Sequence, residues 1–398
     1  MVQRQQVFHV VLEGGAASRP SGDEHAVGHD ARAWLPLLDA LFVLGREGRR
    51  RLGTLVVPPA ALLRWDDSRH LDRLARHAAA LPADAPARTA FERLGVPLVE
   101  VLARLARDEV IELGTTALTG AFLPALVPVP SALRVQIEGA LDVCERVVGL
   151  RPRVFWAPAC GVAPEIEDPL ARAGVALTLV TTAALAAHRV GLARLGSGLV
   201  VARLARGTLE APADRAGPDV VAHDVATLGS AGLARLIASL WQSPDAPDAS
   251  RPDTLSSLLD RSMPTLPVSL ALSSTAPSGA AREWVNATTA PLMRHMHHAA
   301  REVARAAARH HRAGPATLAG RAMRAAVRES AWLAAATCEA EVDEARERTA
   351  AVMRLVAALD AGPEALARDA GFLALIERRD GPLDGWLPAW VADGRAVG

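Results

Sequence analysis

The stretch SALRVQIEGALDVCERVVGLRPRVFWAPACG, residues 131–161, joins two different patterns within one short segment. Its first part repeats apolar residues at helical spacing, and its second part, RVFWAPA, is a short apolar run typical of a buried strand. Pro and Gly then interrupt the run, which predicts a loop directly after the strand. The stretch therefore predicts one helix–strand unit of an α/β fold.

The same alternation extends to both sides of this unit, through about residue 270. Helical stretches separate a series of strand-like runs, which are VFHVVL, LGTLVVPPAAL, VIELGTT, VALTLVT, GPDVVAHDVATLG and LPVSLALSS. Repeated βαβα order implies a parallel sheet, and the length of the series favours barrel-like closure over an open sheet. We therefore expect functional residues at the carboxyl ends of the strands.

The composition changes after about Glu283, where long stretches rich in Ala and Arg follow one another. Their helical periodicity predicts a second, α-helical region packed on the first. We divide the chain into a barrel domain, residues 1–278, and an α-helical domain, residues 279–398. The Pro-, Ser- and Asp-rich segment QSPDAPDASRPD, residues 242–253, predicts a surface loop.

Charge and cysteine content exclude several classes of protein. The formal net charge is +0, which gives no field to hold nucleic acid or an anionic membrane surface, and we expect neither as a partner. No apolar run approaches the about 20 residues that a membrane span needs. Cys144, Cys160 and Cys338 are odd in number and lack CxxC spacing, which indicates neither a disulfide framework nor a zinc site and fits a reducing cytoplasm.

Histidines recur in the helical stretches, where a metal site is one interpretation. A helical site would use an i, i+4 pair beside a carboxylate, and this pattern lacks one. We therefore interpret these residues as solvated or capping side chains, and we expect no metal. They are His295, His297, His298, His310 and His311.

Four stretches, taken in chain order, resemble the motifs of glycoside hydrolase family 57, and in particular its α-1,4-glucan branching enzymes. GTTALTGAFLPAL together with residues 131–161 resembles the third strand, the linking helix and the nucleophile strand, and AHDVATLG resembles the acid/base segment. SSTAPSGAAREWVN resembles a later motif, and the helices up to LALIERRDGPLDGW resemble the C-terminal domain. The resemblance implies an incomplete parallel (β/α)7-type barrel with an α-helical C-terminal domain. It implies no cofactor, and as partners an α-glucan or an intact enzyme of glucan metabolism.

The sequence departs from the family at the positions that carry the family's chemistry. The nucleophile glutamate falls on Ala159, whose methyl group cannot attack an anomeric carbon. Asp224 matches the general acid/base, although the glutamate two residues later is Ala226. Trp284 and Asn286 are retained. Further family positions are replaced, and they fall on Glu13, Gly15, Gly120, Thr181, Ala183, Ser230, Ala231, Gly232, Thr275 and Ala280.

Several of these residues have competing interpretations. Trp156 is expected to pack between sheet and helix, and Cys160 is either a reactive thiol or a small buried apolar residue. Asp224 is either a vestigial acid/base or a strand-end residue that caps the following turn. Glu13 is a speculative second carboxylate, which about 5 Å from Asp224 would permit a retaining mechanism and at about 6.5 to 9.5 Å an inverting one.

Three functions remain open from the sequence. The first is a catalytically degenerate homologue that acts as a non-catalytic partner or regulator in α-glucan metabolism. The second is an active α-glucan-processing enzyme that uses the relocated carboxylates Glu13 and Asp224. The third is an interaction scaffold that binds no sugar, which the absence of tyrosine favours, because sugar clefts commonly rely on aromatic platforms with a polar edge.

Overall fold

The structure is a computed structural model. It describes residues 6–12, 23–95, 97–185, 190–204, 219–225, 227–241, 251–266, 270–276, 278–279, 281–335 and 342–379. Glu13, Gly15, Ala226, Ala280 and Cys338 lie outside these residues.

Ten strands form one sheet. They are β1 Gln6–Leu12, β2 Thr54–Val56, β3 Glu112–Thr116, β4 Val154–Trp156, β5 Leu177–Val180, β6 Leu192–Leu195, β7 Val200–Arg203, β8 Asp219–Asp224, β9 Arg251–Asp253 and β10 Thr265–Leu266.

The sheet is mostly parallel. Its order is β10-β6-β7-β5-β4-β3-β2-β1-β8, and β9 pairs with the first residues of β1. The pair β6–β7 is antiparallel, and the other pairs are parallel. The expected parallel α/β architecture is thus confirmed as a curled half-barrel.

The two faces of the sheet pack in different ways, because successive side chains of a strand alternate between faces. Phe8, Val10 and Leu12 join a cluster built largely from other strands, which marks the inner face of the half-barrel. Val11 and Phe155 instead join a larger cluster that contains the helices, which marks the outer face. A packed interior and a helical outer layer follow from this alternation.

Fourteen α-helices are described. They are α1 Asp23–His29, α2 Leu35–Arg46, α3 Pro59–Asp66, α4 Ser68–Ala80, α5 Pro86–Leu94, α6 Leu98–Arg107, α7 Pro130–Val148, α8 Glu167–Arg172, α9 Gly229–Trp241, α10 Ala290–His310, α11 Leu318–Ala335, α12 Val342–Ala361, α13 Pro363–Arg368 and α14 Ala370–Arg379. A π-helix, Asp30–Trp34, joins α1 to α2. Short 3₁₀ helices occupy Leu123–Leu126, Pro158–Cys160, Pro164–Ile166, Ala183–Leu185 and Leu255–Asp260. None of the helices in these described ranges is long and apolar enough to cross a membrane.

The helical region that begins with α10 packs on the half-barrel through hydrogen bonds between buried polar groups. Gln136 of α7 donates from Nε2 to the carbonyl of Ala331 in α11 at 3.1 Å, and the Thr119 hydroxyl donates to the same carbonyl at 2.7 Å. His297 of α10 also lies 2.7 Å from the carbonyl of Ala125, after β3. These contacts fix the helices against the loop that follows β3. The division of the chain at residue 278 stays a prediction.

Two predicted segments differ in detail. The predicted strand LPVSLALSS is represented by the two-residue β10 and by one antiparallel bridge between Val162 and Ser273, while residues 267–269 lie outside the described part. The predicted loop at residues 242–253 ends in β9, where Arg251 to Asp253 pair with Gln6 to Phe8.

Candidate functional site at the mouth of the half-barrel

The candidate site lies where the parallel strands end. The strands β1, β3, β4 and β8 end at Leu12, Thr116, Trp156 and Asp224, and neighbouring ends are in register, Leu12 with Asp224 and Thr116 with Trp156. Because the carboxyl ends of parallel strands meet at one edge, the loops after these residues form the mouth of the half-barrel. Ala159 and Asp224 both lie at this edge, on strands separated by β1, β2 and β3.

The loop after β4 has an unusual backbone. Ala159 has φ 53° and ψ 25°, and Cys160 has φ 50°. Non-glycine residues rarely adopt this left-handed region, and such conformations cluster at functional sites. Ala159 is partly exposed at this turn, so the position that the resemblance assigns to the nucleophile faces the mouth with a methyl group.

A second segment holds this loop in place. Thr275 donates to the carbonyl of Ala159 twice, from its amide at 2.7 Å and from its hydroxyl at 3.0 Å. Val162 and Ser273 form two backbone hydrogen bonds, each at 3.1 Å. The structure thus brings Ala159 and Thr275 together, although 116 residues separate them in sequence.

The side chains of Phe122 and Trp284 stack beside the same loop. Their ring centroids are 3.8 Å apart and their planes differ by 3°. A Cβ on Gly161 would lie 2.4 Å from Cε2 of Phe122, so the ring packs directly on the glycine backbone. One face of Trp284 is therefore covered by Phe122. Phe122 and Gly161 were not predicted as site residues, and no pattern in the sequence indicates their contact.

Asn286 has a structural role in the turn that begins α10. Its Oδ1 accepts hydrogen bonds from the amides of Thr288 at 2.9 Å and Thr289 at 3.0 Å. Its Nδ2 donates to the carbonyl of Arg282 at 3.1 Å. Hydrogen bonds to the main chain therefore engage both polar atoms of the Asn286 amide.

Asp224 ends β8 on the inner face. It lies on the same side of the strand as Val220, which belongs to the inner cluster, and it is partly exposed. Its main-chain carbonyl accepts hydrogen bonds from the amides of Thr227 and Leu228, both at 3.0 Å. The residue thus starts the turn towards α9 and also presents a carboxylate to the mouth. Its predicted partner Glu13 lies outside the described residues, one position beyond the Leu12 that pairs with Asp224.

Trp156 and Cys160 lie in the interior. Trp156 belongs to the inner cluster together with Val56 and Leu179, whereas its neighbour Phe155 packs against the helices. The expectation that Trp156 packs between sheet and helix is therefore wrong, because its side chain lies on the inner face of the sheet. Cys160 is fully buried in the same inner cluster, and burial raises the pKa of its thiol, which favours the small apolar residue over the reactive thiol.

The remaining predicted positions lie on loops near strand ends. Gly120 has φ 77° and open space where a Cβ would lie, and its position follows β3. Thr181 follows β5, and its hydroxyl accepts from the amide of Ala184 at 3.3 Å. Ser230, Ala231 and Gly232 lie in the first turn of α9. Each of these residues builds a turn at the mouth and carries no group for acid or base chemistry.

A buried histidine pair on the outer face was not anticipated. Nδ1 of His9 lies 3.0 Å from Nε2 of His223, and the rings stack at a centroid distance of 5.3 Å. Burial, and then the neighbouring His223, lower the pKa of His9 to about 4, and burial also lowers the pKa of His223. Both rings are thus neutral near pH 7, and they join β1 to β8 behind Asp224.

Four of the helical histidines, His297, His298, His310 and His311, contact main chain or single carboxylates. His298 lies 4.0 Å from Glu302, and His310 lies 3.4 Å from Asp360. Within the part of the chain that the structure describes, no group of three His, Cys, Asp or Glu side chains has the geometry to hold a metal ion.

Comparisons with known proteins bear on the family and on the fold. The sequence model of glycosyl hydrolase family 57 matches residues 85–195, from the region of α5 to β6, and this segment contains Gly120, Trp156 and Ala159. Residues 85–195 are thus similar in sequence to glycosyl hydrolase family 57. No curated protein matches the chain in a sequence comparison.

Solved structures of family 57 proteins share the whole fold. A GH57-type branching enzyme from Pyrococcus horikoshii superposes with a TM-score of 0.75 at 15% identity and covers 97% of this chain and 97% of its own. A GH57 branching enzyme from Thermococcus kodakaraensis gives a TM-score of 0.75 at 15% identity over 99% and 96% of the two chains. The α-amylase AmyC from Thermotoga maritima gives a TM-score of 0.74 at 13% identity over 98% and 99%. The chain therefore has the family 57 fold over nearly its full length.

Proposed function

We propose that this chain is a catalytically degenerate family 57 protein, without hydrolytic or branching activity, that serves as a non-catalytic partner or regulator in α-glucan metabolism. The observation that carries the proposal is Ala159. It occupies a left-handed turn at the end of β4, partly exposed at the mouth, where the resemblance places the nucleophile. A retaining glycosidase needs a carboxylate there, and a methyl group offers neither a nucleophile nor charge stabilisation.

The surroundings of Ala159 support the same proposal. Thr275 binds the Ala159 carbonyl, and Phe122 covers one face of Trp284. Asn286 uses its amide to cap the start of α10. Sugar clefts stack rings on open aromatic faces and bind hydroxyls with free polar groups. Trp284 and Asn286, two of the retained family residues, instead contact other parts of the scaffold.

The fold that this chain shares with its relatives supports the proposed role and the proposed binding partners. Two of the structures named above are GH57 branching enzymes by their descriptions, and this chain shares their fold over nearly its full length. A degenerate copy of such a fold is suited to bind an α-glucan chain or an intact enzyme that acts on one. The proposed localisation is the cytoplasm, where such a partner would meet it.

The test uses purified protein and amylose stained with iodine. We expect the iodine spectrum to stay unchanged with this chain alone, and the activity of an intact family 57 branching enzyme to change when the chain is added. Loss of iodine staining with the chain alone, abolished by Glu13→Gln, would instead establish the relocated-carboxylate enzyme. No effect on the intact enzyme, and no retardation in an amylose-containing gel, would contradict the partner role.

A further inference from the structure

A second cleft, of about 960 Å³, lies on the helices that follow β1 and β2 and shares no lining residue with the mouth. We call it the arginine cleft. It lies on α1, α4 and the π-helix Asp30–Trp34. Its titratable lining residues are Glu24, His25, Arg32, Arg73, Arg76 and His77. Among the described lining residues, three arginines and two histidines accompany one carboxylate, in a protein whose formal net charge is +0.

Arg32 is placed by an irregular helix. The amide of Leu35 donates to the carbonyl of Asp30, which is the i to i+5 bond of a π-helix. π-helices are rare and occur frequently at functional sites. Arg32 lies within this π-helical turn.

A buried network fixes both walls of the arginine cleft. The carboxylate of Asp30, fully buried, accepts from Arg64 at 3.2 Å and from Trp65 Nε1 at 2.9 Å, and it lies 2.8 Å from Nε2 of His70. His70 belongs to α4, the helix that carries Arg73, Arg76 and His77. The network therefore ties the π-helix to α4, so the cationic side chains of the two walls extend from a rigid frame.

Gly28 leaves room for the Arg32 guanidinium. A Cβ on Gly28 would lie 3.0 Å from Nη1 of Arg32, which is closer than most such contacts. The Arg32 guanidinium therefore lies against bare helix backbone at Gly28, another lining residue of the cleft.

We propose that the arginine cleft binds a phosphorylated small molecule. Guanidinium groups present paired N–H donors that match phosphate oxygens, and charge-assisted bonds of this kind are about twice as strong as neutral ones. The assignment is independent of the proposed function, because it uses none of the mouth residues. It places an anion-binding site outside the mouth of the half-barrel.

Isothermal titration calorimetry with pyrophosphate, glucose 1-phosphate and glucose tests the proposal. We expect pyrophosphate or glucose 1-phosphate to bind and glucose to show no binding at this site. The double variant Arg32→Gln/Arg76→Gln should weaken phosphate binding at least about tenfold. Gly28→Ala, which displaces the Arg32 guanidinium, should weaken it as well.

The matched control is Arg69→Gln, an exposed arginine of α4 outside the cleft. It should bind pyrophosphate like the wild type, and the unfolding temperature without ligand should show that all variants are folded. Tighter binding of glucose 1-phosphate would indicate that the natural ligand is a sugar phosphate. Tighter binding of pyrophosphate would indicate a ligand with a diphosphate group. Equal binding by the wild type and the double variant, no binding by any phosphate probe, or binding of a single-stranded oligonucleotide alone would overturn the proposal.

Discussion

The carbonyl oxygen of Ala159 accepts two hydrogen bonds from Thr275, at 2.7 Å from the amide and 3.0 Å from the hydroxyl. The bonds join the loop after β4, which carries the position that the resemblance assigns to the nucleophile, to the segment before α10. These hydrogen bonds hold a loop in which Ala159 and Cys160 have left-handed backbone conformations, although the Ala159 side chain carries no catalytic group. The loop is therefore held in place by hydrogen bonds from another segment, whatever side chain stands at position 159.

Gly161→Ala should destabilise the protein. The added Cβ would lie 2.4 Å from Cε2 of Phe122 and 3.0 Å from the carbonyl oxygen of Pro158, so the aromatic pair with Trp284 has to move. Overpacking of this kind costs about 1–3 kcal/mol of unfolding free energy, which urea denaturation measures. The control is Gly196→Ala, where a Cβ meets nothing within 4 Å. Equal stability of the two variants would contradict the packing described here.

The His9–His223 pair predicts a loss of stability in mild acid. Both pKa values are lower in the folded state than the ordinary value of about 6.5. The unfolded chain therefore binds protons first as the pH falls, and the free energy of unfolding decreases from about pH 6.5 towards pH 4. The slope is up to about 1.4 kcal/mol per pH unit for each imidazole.

Denaturation series between pH 7.5 and 4 measure this slope. The double variant His9→Asn/His223→Gln has polar atoms near the same positions and cannot be protonated, so its stability should vary less with pH. The exposed His295→Gln is the control and should keep the wild-type slope. A double variant with an unchanged slope would show that the buried pair does not titrate as proposed.

Asp30→Asn should be strongly destabilising. Despite burial, Arg64 and the neighbouring imidazoles hold the pKa of Asp30 well below its ordinary range. The stabilisation from its charge is therefore present above about pH 3.9 and decreases as the pH falls further. At pH 7 the variant leaves the Arg64 guanidinium buried without its counter-charge, at a cost of about 3–5 kcal/mol in unfolding free energy.

Asp142→Asn provides the comparison for Asp30. Its carboxylate pairs with Arg151 at 3.0 Å, and both side chains are exposed, so the change should cost less than about 1 kcal/mol. Similar losses of unfolding free energy for the two variants, measured in urea, would contradict a structural role for the buried network.

Much of the architecture follows from local sequence patterns. The strand RVFWAPA and the helix before it appear where periodicity predicts them, because each pattern acts within one element. The strand β9 does not follow in this way. Its Pro- and Asp-containing residues pair with β1 because tertiary contacts outweigh weak local propensity.

Less of the candidate site than of the fold can be predicted from the sequence. Strand-end positions such as Asp224 and the loop of Ala159 follow from the parallel order together with the resemblance. The Phe122–Gly161 contact, the His9–His223 pair and the buried Asp30 do not, because each joins residues far apart in the chain and depends on how the elements pack. The face of Trp156 was assigned wrongly because a short apolar run does not distinguish the two sides of a sheet.

Ala159→Glu should not restore robust activity on amylose. A carboxylate alone lacks the platforms and hydrogen bonds that position substrate, because Phe122 covers Trp284 and main-chain bonds engage Asn286. An assay of the reducing ends released from amylose measures the outcome. The control is Ala163→Glu, which introduces a carboxylate at another position of the same loop region. Robust turnover by Ala159→Glu alone would show that the rest of the site is intact.

The absence of glycosidic chemistry in the wild type is the central claim, and counting new linkages tests it most directly. Amylose incubated with purified wild-type protein is analysed by proton NMR for α-1,6 linkages and by reducing-end assay for hydrolysis. We predict no increase in either over a protein-free sample. Formation of branches or reducing ends that Asp224→Asn abolishes would contradict the account, because it would show a working site at the mouth despite Ala159.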